Sequence, residues 1–455
     1  MRSLLVLCCV LLGWGCGAGA GGIVKSVPVA TLLPAITAEA RLQPISVPDA
    51  ENGWIPFHRA LSYYHSARLS AEIQLPASFK TREDAVETLH RLEVIRSCLD
   101  AALEASTKKN WLLPSDPPSV EEGSLRAKTK NIVKALIARG RAKIVTGSGV
   151  DGARDLLAAQ NIGLGLLGGR GIMIDGMTGI ACVTMASRAI ERECGDPRTK
   201  TDAIKTLFDG NPEPPKVDAR AQDDVRGELD NELVPDISSL GDPLHDAESV
   251  TDLGVSDPAQ ILQLAKDLDK PFDRRDTVET ASLGVAIVIR NLGKPWSQQE
   301  SLAPYVKKLA AGWPPGALSG GPLNAGQLDK ARKFLAPQTN PVGRLIVAVL
   351  LPTFAEFASE SFRWRAQAMA VRTVLAIRLW RDGHGGQLPP SLDSLVQAGI
   401  LKRLPQDFFG TGPLHYDPAR KVIWSVGWNQ KDDGGFDPPD KFGTTKDLVW
   451  PATGS

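Results

Sequence analysis

Cysteine, histidine and tyrosine are scarce in this chain, whose 455 residues include six cysteines, six histidines and four tyrosines. No CxxC pair occurs, and no histidine lies at metal-ligand spacing from a cysteine, so the sequence predicts neither a zinc knuckle nor a redox pair. Three cysteines lie near the N-terminus, and the others are Cys98, Cys182 and Cys194. We expect these three thiols to be buried. The alternative, in an oxidising compartment, is a disulfide from Cys98 to Cys182 or Cys194.

An excess of charge of either sign is also absent, because 52 lysines and arginines balance 52 aspartates and glutamates. The chain therefore has no net positive charge with which to attract a phosphate backbone, and we expect no nucleic-acid partner. Hydrophobic residues make up 43% of the sequence, which is enough for a core. The 43 glycines and 33 prolines exceed the usual share of these two residue types and predict many broken connections.

The apolar run near the N-terminus is short. Leu4 to Leu12 is followed by Ala18-Gly19-Ala20, whose small residues suit a signal peptidase. A run of about nine residues falls short of the roughly 20 that cross a bilayer as a helix. We predict a signal peptide over 1–20, an exported protein of the periplasm or cell envelope, and no transmembrane helix in the mature chain. The alternative is a lipoprotein with a lipid anchor at Cys16.

Helical spacing dominates the middle of the chain. Residues 21–50 are rich in proline, alanine and valine without a sustained period, which predicts a linker. Residues 51–340 are predicted to form a helical body, in which the short apolar run Leu283 to Ile289 is assigned to a helix rather than a strand. Apolar residues recur three to four apart over 82–105 and 125–144. Further helices are expected from Ala153 onward, over about 172–192 and over 327–335.

Two segments, Gly147 to Gly152 and Gly163 to Gly168, read GxGxxG. A dinucleotide site requires this spelling between a strand and a helix, so that amides and the helix N-terminus face the pyrophosphate. Both segments follow helical stretches instead, and we interpret both as turns between helices. The first is similar to the inter-helix turn of a tetratricopeptide unit, although the repeat does not recur along the chain. The helical body is therefore predicted to be partly tetratricopeptide-like.

The character of the sequence changes after Asn340-Pro341. Arg344 to Arg381 is predicted to form one long helix with a kink at Pro352. A small antiparallel sheet should follow, with the alternating Val422, Trp424 and Val426 placing one apolar face on that helix. The predicted fold class is mainly α, with a C-terminal α+β module over 341–455. The predicted strands of this module are Leu414 to Asp417, Val422 to Val426 and Asp447 to Trp450.

Several short motifs follow the long helix in a fixed order: Asp382-Gly383-His384-Gly385-Gly386-Gln387-Leu388-Pro389, Gln406-Asp407-Phe408, Leu414-His415-Tyr416 and Trp424-Ser425-Val426-Gly427. In this order the C-terminal region resembles the globular domain of the major pseudopilin of type II secretion. The whole chain is similar to a group of exported bacterial proteins of unknown function that carry a helical body before this module. Ala348 stands where a pilin subunit has glutamate, so polymerisation into a pseudopilus is not expected.

Hard oxygen ligands are concentrated near the C-terminus, at Asn429, Asp432, Asp433, Asp437, Asp440 and Asp447. Carboxylate and amide oxygens are the ligands that calcium prefers, and two glycines between them let the backbone turn. By the resemblance, Asn429 and Asp447 correspond to calcium ligands of the family. The candidate metal ligands are therefore Asn429, Asp432, Asp433 and Asp447. The alternative is a solvated acidic turn, and no cofactor is otherwise required.

Catalytic motifs such as HExxH and GxSxG are missing from the sequence, and the six histidines are scattered. We expect a non-enzymatic scaffold or binding protein of the cell envelope that has a protein partner there. One alternative is a secreted hydrolase with a site between the helical body and the C-terminal module. Another is an accessory component of a type II secretion or pilus-like machine. Titratable groups converging in a concave pocket would favour the hydrolase.

Overall fold

A computed structural model describes residues 27–66, 79–114, 122–239, 272–313, 324–436 and 447–454. These residues form a mainly helical fold with a small three-stranded antiparallel sheet, which confirms the predicted fold class. The predicted signal peptide, Cys16, Asp437 and Asp440 lie outside the described residues.

Helices build the part of the chain that precedes Asn340. Three consecutive helices, Glu122–Thr146, Gly149–Leu166 and Met173–Gly195, pack against one another in sequence, and the third also packs against the long helix described below. A π-helical segment, Glu228–Leu233, follows the helix Ala219–Gly227. The helices are α1 (Val29–Leu32), α2 (Trp54–Ser66), α3 (Arg82–Leu92), α4 (Arg96–Ser106), α5 (Glu122–Thr146), α6 (Gly149–Leu166), α7 (Met173–Gly195), α8 (Thr201–Gly210), α9 (Ala219–Gly227), α10 (Val234–Ser239), α11 (Arg274–Leu292), α12 (Ala303–Leu309) and α13 (Ala325–Leu335).

The prediction of one helix over 82–105 is wrong, whereas the helical assignment of Leu283 to Ile289 is confirmed within α11. A 3₁₀ turn, Glu93–Ile95, separates α3 from α4, and Ile95 has φ −111° and ψ 21°. Adjacent β-branched residues at this point lose side-chain freedom in a helix, which favours a break there. The apolar stripe continues across the break, since Leu92, Ile95 and Leu99 are all buried, while Val94 is 70% exposed.

The described part of the predicted linker packs on α11. Leu32, Ile36 and Ala40 are buried in the main hydrophobic core. The backbone N–H of Thr37 donates to Oγ of Ser282 at 2.7 Å. Burial of these side chains removes apolar surface from water, which stabilises this segment on the body.

The long helix α14 spans Pro341–Gly383 and continues through Pro352. At its start Asn340 has a left-handed backbone with φ 48°, and its Nδ2 donates to the carbonyl of Asp273 at 2.9 Å and to Oγ1 of Thr277 at 2.9 Å. This side chain therefore joins the start of α14 to the start of α11. By length and composition α14 would also suit a bilayer span, but it packs against α7, α8, α11 and α12.

The sheet follows the short helix α15 (Leu392–Gln397) and contains β1 (His415–Asp417), β2 (Val422–Ser425) and β3 (Leu448–Pro451). The order is β1-β2-β3, and both pairs are antiparallel. The predicted inward face of β2 is wrong. Ile423 is fully buried in the main core, whereas Trp424 faces the acidic loop, where its Nε1 donates to Asp432 at 2.9 Å. Both faces of β2 are covered, so alternation could not identify the core face.

A buried charge pair joins α14 to the segment before α9. Arg365 and Asp218 are both fully buried, and the Nε of Arg365 lies 4.0 Å from a carboxylate oxygen of Asp218. That oxygen also accepts from Oγ of Ser361 and from Nε1 of Trp364. The guanidinium lies 5.1 Å from the ring of Phe408, beyond α15. Arg365 therefore touches both the helical body and the C-terminal unit.

Replacing Arg365 tests this pair. Arg365→Met should lower the free energy of unfolding by about 3–5 kcal/mol, because it leaves the buried Asp218 carboxylate uncompensated. The double variant with Asp218→Asn should lose less than the sum of the two single variants, since neither charge is then left alone. Urea unfolding of the four proteins measures the coupling.

The exposed Arg363 of the same helix provides the control for this cycle, because among the described residues its salt bridge is with Glu360, at 3.5 Å. Arg363→Met should change the free energy of unfolding by less than about 0.5 kcal/mol. Strictly additive effects of Arg365→Met and Asp218→Asn would contradict the proposed coupling.

Candidate functional site

Asp447 closes the acidic loop from its far end. Its two carboxylate oxygens accept the backbone N–H of Gly435 at 2.7 Å and of Asp433 at 3.3 Å. Burial raises the pKa of the Asp447 carboxyl, and the nearby carboxylates of Asp432 and Asp433 raise it further, although both amide hydrogen bonds oppose this. Asp447 therefore holds the two sides of the loop together at a position where negative charges crowd.

Asp432 and Asn429 complete the group that the sequence predicted. The Asp432 carboxylate accepts from Nε1 of Trp424 and from the amide of Gly434, each at 2.9 Å, and lies 3.3 Å from Nδ1 of His415. Nδ2 of Asn429 donates to Asp433 at 2.9 Å. The predicted residues are thus brought together, in a single hydrogen-bonded loop.

The donor atoms of this loop suit calcium in chemical type, because all four side chains offer hard oxygens. Each carboxylate oxygen has two acceptor sites, so each oxygen of Asp447, which accepts one amide, keeps a site for another partner, whereas one oxygen of Asp432 is filled by Trp424 and Gly434. Among the described residues, however, no three histidine, cysteine, aspartate or glutamate side chains converge on one metal position. Calcium would compete with the backbone amides for these oxygens.

Asp407 has a related role beneath the sheet. It is 2% exposed, and its carboxylate accepts from Oγ of Ser425 at 2.7 Å and from the amide of Val426 at 2.9 Å. The sequence analysis quoted Asp407 only as part of a motif and assigned it no contact. Buried polar groups are paired in native proteins, so a carboxylate next to the end of a strand is expected to bind that strand.

Asp224 is a fully buried acid that the sequence analysis did not identify. Both carboxylate oxygens accept the amide of Gly168, at 2.9 and 3.1 Å. Burial raises the pKa of Asp224 well above its ordinary value; the Gly168 amide opposes this, and the carboxylates of Asp175, Asp218 and Asp223 add to it. A pair of adjacent acids, Asp223-Asp224, was the only signal in the sequence, and such pairs are common.

A small cavity lies between α2, α5 and α7. Its lining includes Arg126, Asp175 and Glu232, and the Nε of Arg126 lies 3.5 Å from Asp175. Titratable groups therefore converge in this cavity, but its volume is about 60 Å³. Small-molecule sites occupy about 300–1,000 Å³, so this cavity suits bound water rather than a substrate. It also lies within the helical body, away from the position that the hydrolase alternative requires.

Both GxGxxG segments lie at the ends of α6, so the prediction that they are turns between helices is only partly right: Gly147-Ser148 and Leu167-Gly168 lie in the connections, whereas Gly149–Gly152 and Gly163–Leu166 belong to α6 itself. Gly152 packs against α5, where a Cβ would lie 2.3 Å from the carbonyl oxygen of Gly140. Gly163 packs against α7, where a Cβ would lie 2.8 Å from the carbonyl oxygen of Gly179. These glycines allow α5, α6 and α7 to approach closely.

Cys98, Cys182 and Cys194 are buried free thiols, as the sequence predicts, and the alternative disulfide is not formed. Burial raises the pKa of both Cys98 and Cys182 to about 12 and raises that of Cys194 as well. The thiolate is the reactive form of cysteine, so these side chains act as packing residues.

Asp224→Asn should flatten the pH dependence of stability. Because the folded protein holds the Asp224 proton more tightly than the unfolded chain, this group stabilises the fold below the ordinary aspartate pKa. That contribution is lost as the pH rises through the folded pKa, by up to about 1.4 kcal/mol per pH unit. Urea unfolding from pH 4 to 8 measures the difference between wild type and variant.

Asp209→Asn is the matched control for Asp224→Asn, since Asp209 is an exposed residue of α8. It should reproduce the pH curve of the wild type. A curve for Asp224→Asn that runs parallel to that of the wild type would show that Asp224 is charged in the folded protein.

No protein-family model matches this sequence, and no curated protein and no solved structure matches it significantly. The resemblance to pseudopilin globular domains therefore stays a prediction from the sequence motifs. Its function can be inferred only from the chemistry of its own side chains.

Proposed function

We propose that this chain is an exported, non-enzymatic scaffold or binding protein of the cell envelope. The observation that carries this proposal is the use of its clustered C-terminal acids. Asp407, Asp432 and Asp447 each accept hydrogen bonds from backbone amides of their own unit. Carboxylates used in this way position loops and strands, whereas a general acid or base must reach a substrate proton.

Two contacts between the quoted motifs support kinship with pseudopilin globular domains. The hydroxyl of Tyr416 donates to the carbonyl of Pro389 at 3.0 Å, which joins the hairpin to the turn after α14. The Asp407 carboxylate joins the segment before the hairpin to Ser425 and Val426. The motifs that carry the resemblance therefore stabilise one another, as parts of one inherited unit would.

Assembly into a pseudopilus is not part of this proposal. The first turns of α14 are buried within the chain's own body, and Leu345, Ile346, Val347 and Ala348 are each at most 2% exposed. This surface is not free to pack against the same helix of another copy. The unit is proposed to keep the pseudopilin-like fold in a different role, since a fold carries no function by itself.

We further propose that calcium stabilises the acidic loop. Asn429, Asp432, Asp433 and Asp447 would hold the ion, and calcium would supply the positive charge that three crowded carboxylates lack. Arg420 is bound to Asp417 at 2.6 Å, and Lys431, within the loop, forms no salt bridge with a described residue. Among the described residues, charge compensation of the loop is therefore incomplete without an ion.

Calcium should raise the melting temperature of the wild-type protein, because selective binding to the folded state stabilises it by mass action. Asp447→Ala should lower the melting temperature by removing two backbone hydrogen bonds, and it should also abolish the response to calcium. Thermal unfolding, first in chelator and then with added calcium, measures both effects.

Asp393→Asn is the control for the calcium experiment, since Asp393 is an exposed acid of α15, outside the loop. It should keep the full calcium response. If wild type and Asp447→Ala both melt at the same temperature with calcium and with chelator, the ion is not a ligand of this loop. The scaffold proposal would then rest on the hydrogen-bonded loop alone.

A further inference from the structure

A basic cavity opens beside the C-terminal ends of α4 and α6. Its volume is about 420 Å³, within the range of about 300–1,000 Å³ that small-molecule sites occupy. Lys108, Lys109 and Arg220 line it, and none of the described residues that line it is acidic. The cavity is therefore large enough for a small ligand and carries charge of one sign.

The side chains of two of these three cations form neither a salt bridge nor a hydrogen bond with a described residue. The Nζ of Lys108 donates to the carbonyl of Ala50 at 2.8 Å. Lys109 and Arg220 are exposed, and neither forms a salt bridge with a described residue. Among the acids on the flanking segments, Glu104 is bound by Arg59, Asp223 by Arg226, and Asp224 by the amide of Gly168. The positive charge of Lys109 and Arg220 is thus available to a ligand.

The negative C-terminal ends of two helices offset only part of this positive charge. Helix α4 ends at Ser106 and α6 at Leu166, and each C-terminus carries about half a negative charge that nearby cations offset. Two helix ends therefore balance about one of the three cations. An excess of about two positive charges remains, which matches a ligand group with two negative charges.

The second GxGxxG segment forms a wall of this cavity. A Cβ on Gly165 would lie 2.2 Å from the indole of Trp111, so only glycine lets that ring lie against α6. Gly168 has φ +90°, and a Cβ there would lie 2.4 Å from the Cβ of Arg220. These glycines bring Trp111 and Arg220 to the cavity, a role that differs from the phosphate loop of a dinucleotide site.

We propose that this cavity binds the phosphate monoester group of a small ligand through Lys109 and Arg220. A phosphate monoester carries about −1.5 to −2 charges at pH 7, which fits the excess positive charge. The planar guanidinium of arginine binds phosphate oxygens in pairs, and lysine adds a point charge. Leu164 and Trp111 on the adjacent wall offer apolar surface to the remainder of the ligand.

Isothermal titration with inorganic phosphate and with phenyl phosphate, at constant ionic strength, tests the proposal. The wild-type protein should bind at least one probe with a dissociation constant below about 10 mM. The double variant Lys109→Gln with Arg220→Gln should bind that probe at least about tenfold more weakly. Both side chains are exposed, so the variant should keep the melting temperature of the wild type.

Lys205→Gln, an exposed cation of α8, is the matched control and should bind as the wild type does. The proposal is overturned if neither probe binds below about 10 mM, or if the double variant weakens binding by less than about tenfold. In either case Lys109 and Arg220 only offset the negative charge at the C-terminal ends of α4 and α6.

The source of the phosphate group can be distinguished in the same proteins. Sedimentation with vesicles that contain phosphatidic acid, lost in the double variant, would identify a lipid headgroup. Binding of phenyl phosphate without such sedimentation would identify a soluble monoester. Calcium binding by the acidic loop is a separate property, so failure of one proposal leaves the other intact.

Discussion

The buried pair of Asp218 and Arg365 constrains how the helical body and the C-terminal unit fit together. Burial lowers the pKa of Arg365 to about 10, while the Asp218 carboxylate favours the charged form, so the guanidinium is charged at neutral pH. A charge in such a position is tolerated only with a compensating partner in fixed geometry. The segment before α9 must therefore stay against the middle of α14, and the ring of Phe408 must stay against the same guanidinium.

Several buried acids of this chain are compensated by backbone amides. Asp218 accepts the amide of Ala221 at the start of α9, Asp224 accepts that of Gly168, and Asp407 accepts that of Val426. Each carboxylate satisfies a backbone donor that no regular element would satisfy at that point. Buried acids thus fix connections in a chain that glycine and proline break often. Asp447 extends this pattern to the acidic loop, where exposure leaves room for an ion.

Sequence patterns predicted the positions of the helices and strands better than they predicted which face of each element is buried. Amphipathic spacing located α5, and the long apolar stretches located α7 and α14. The alternating pattern failed at β2, because the acidic loop covers the face opposite the core, so Trp424 is buried at 7% exposed although Ile423 is the fully buried core residue. The meeting of Asp432 with Asp447 was predictable, because an antiparallel strand returns the chain to the loop. The burial of Asp224 was not, since aspartate is rarely inside a protein and nothing local marks it.

The apolar character of α14 follows from its central position. A helix that is hydrophobic on all sides belongs either in a membrane or in the middle of a core. Helices of the body cover one side of α14, and α15 and β2 contact it from the C-terminal unit. Arg365 is compensated by Asp218, a residue distant in sequence, so its charge depends on the body being in place. A substitution that weakens the packing of the helical body should therefore also destabilise the C-terminal unit, because the body and this unit share a single hydrophobic core that includes α14.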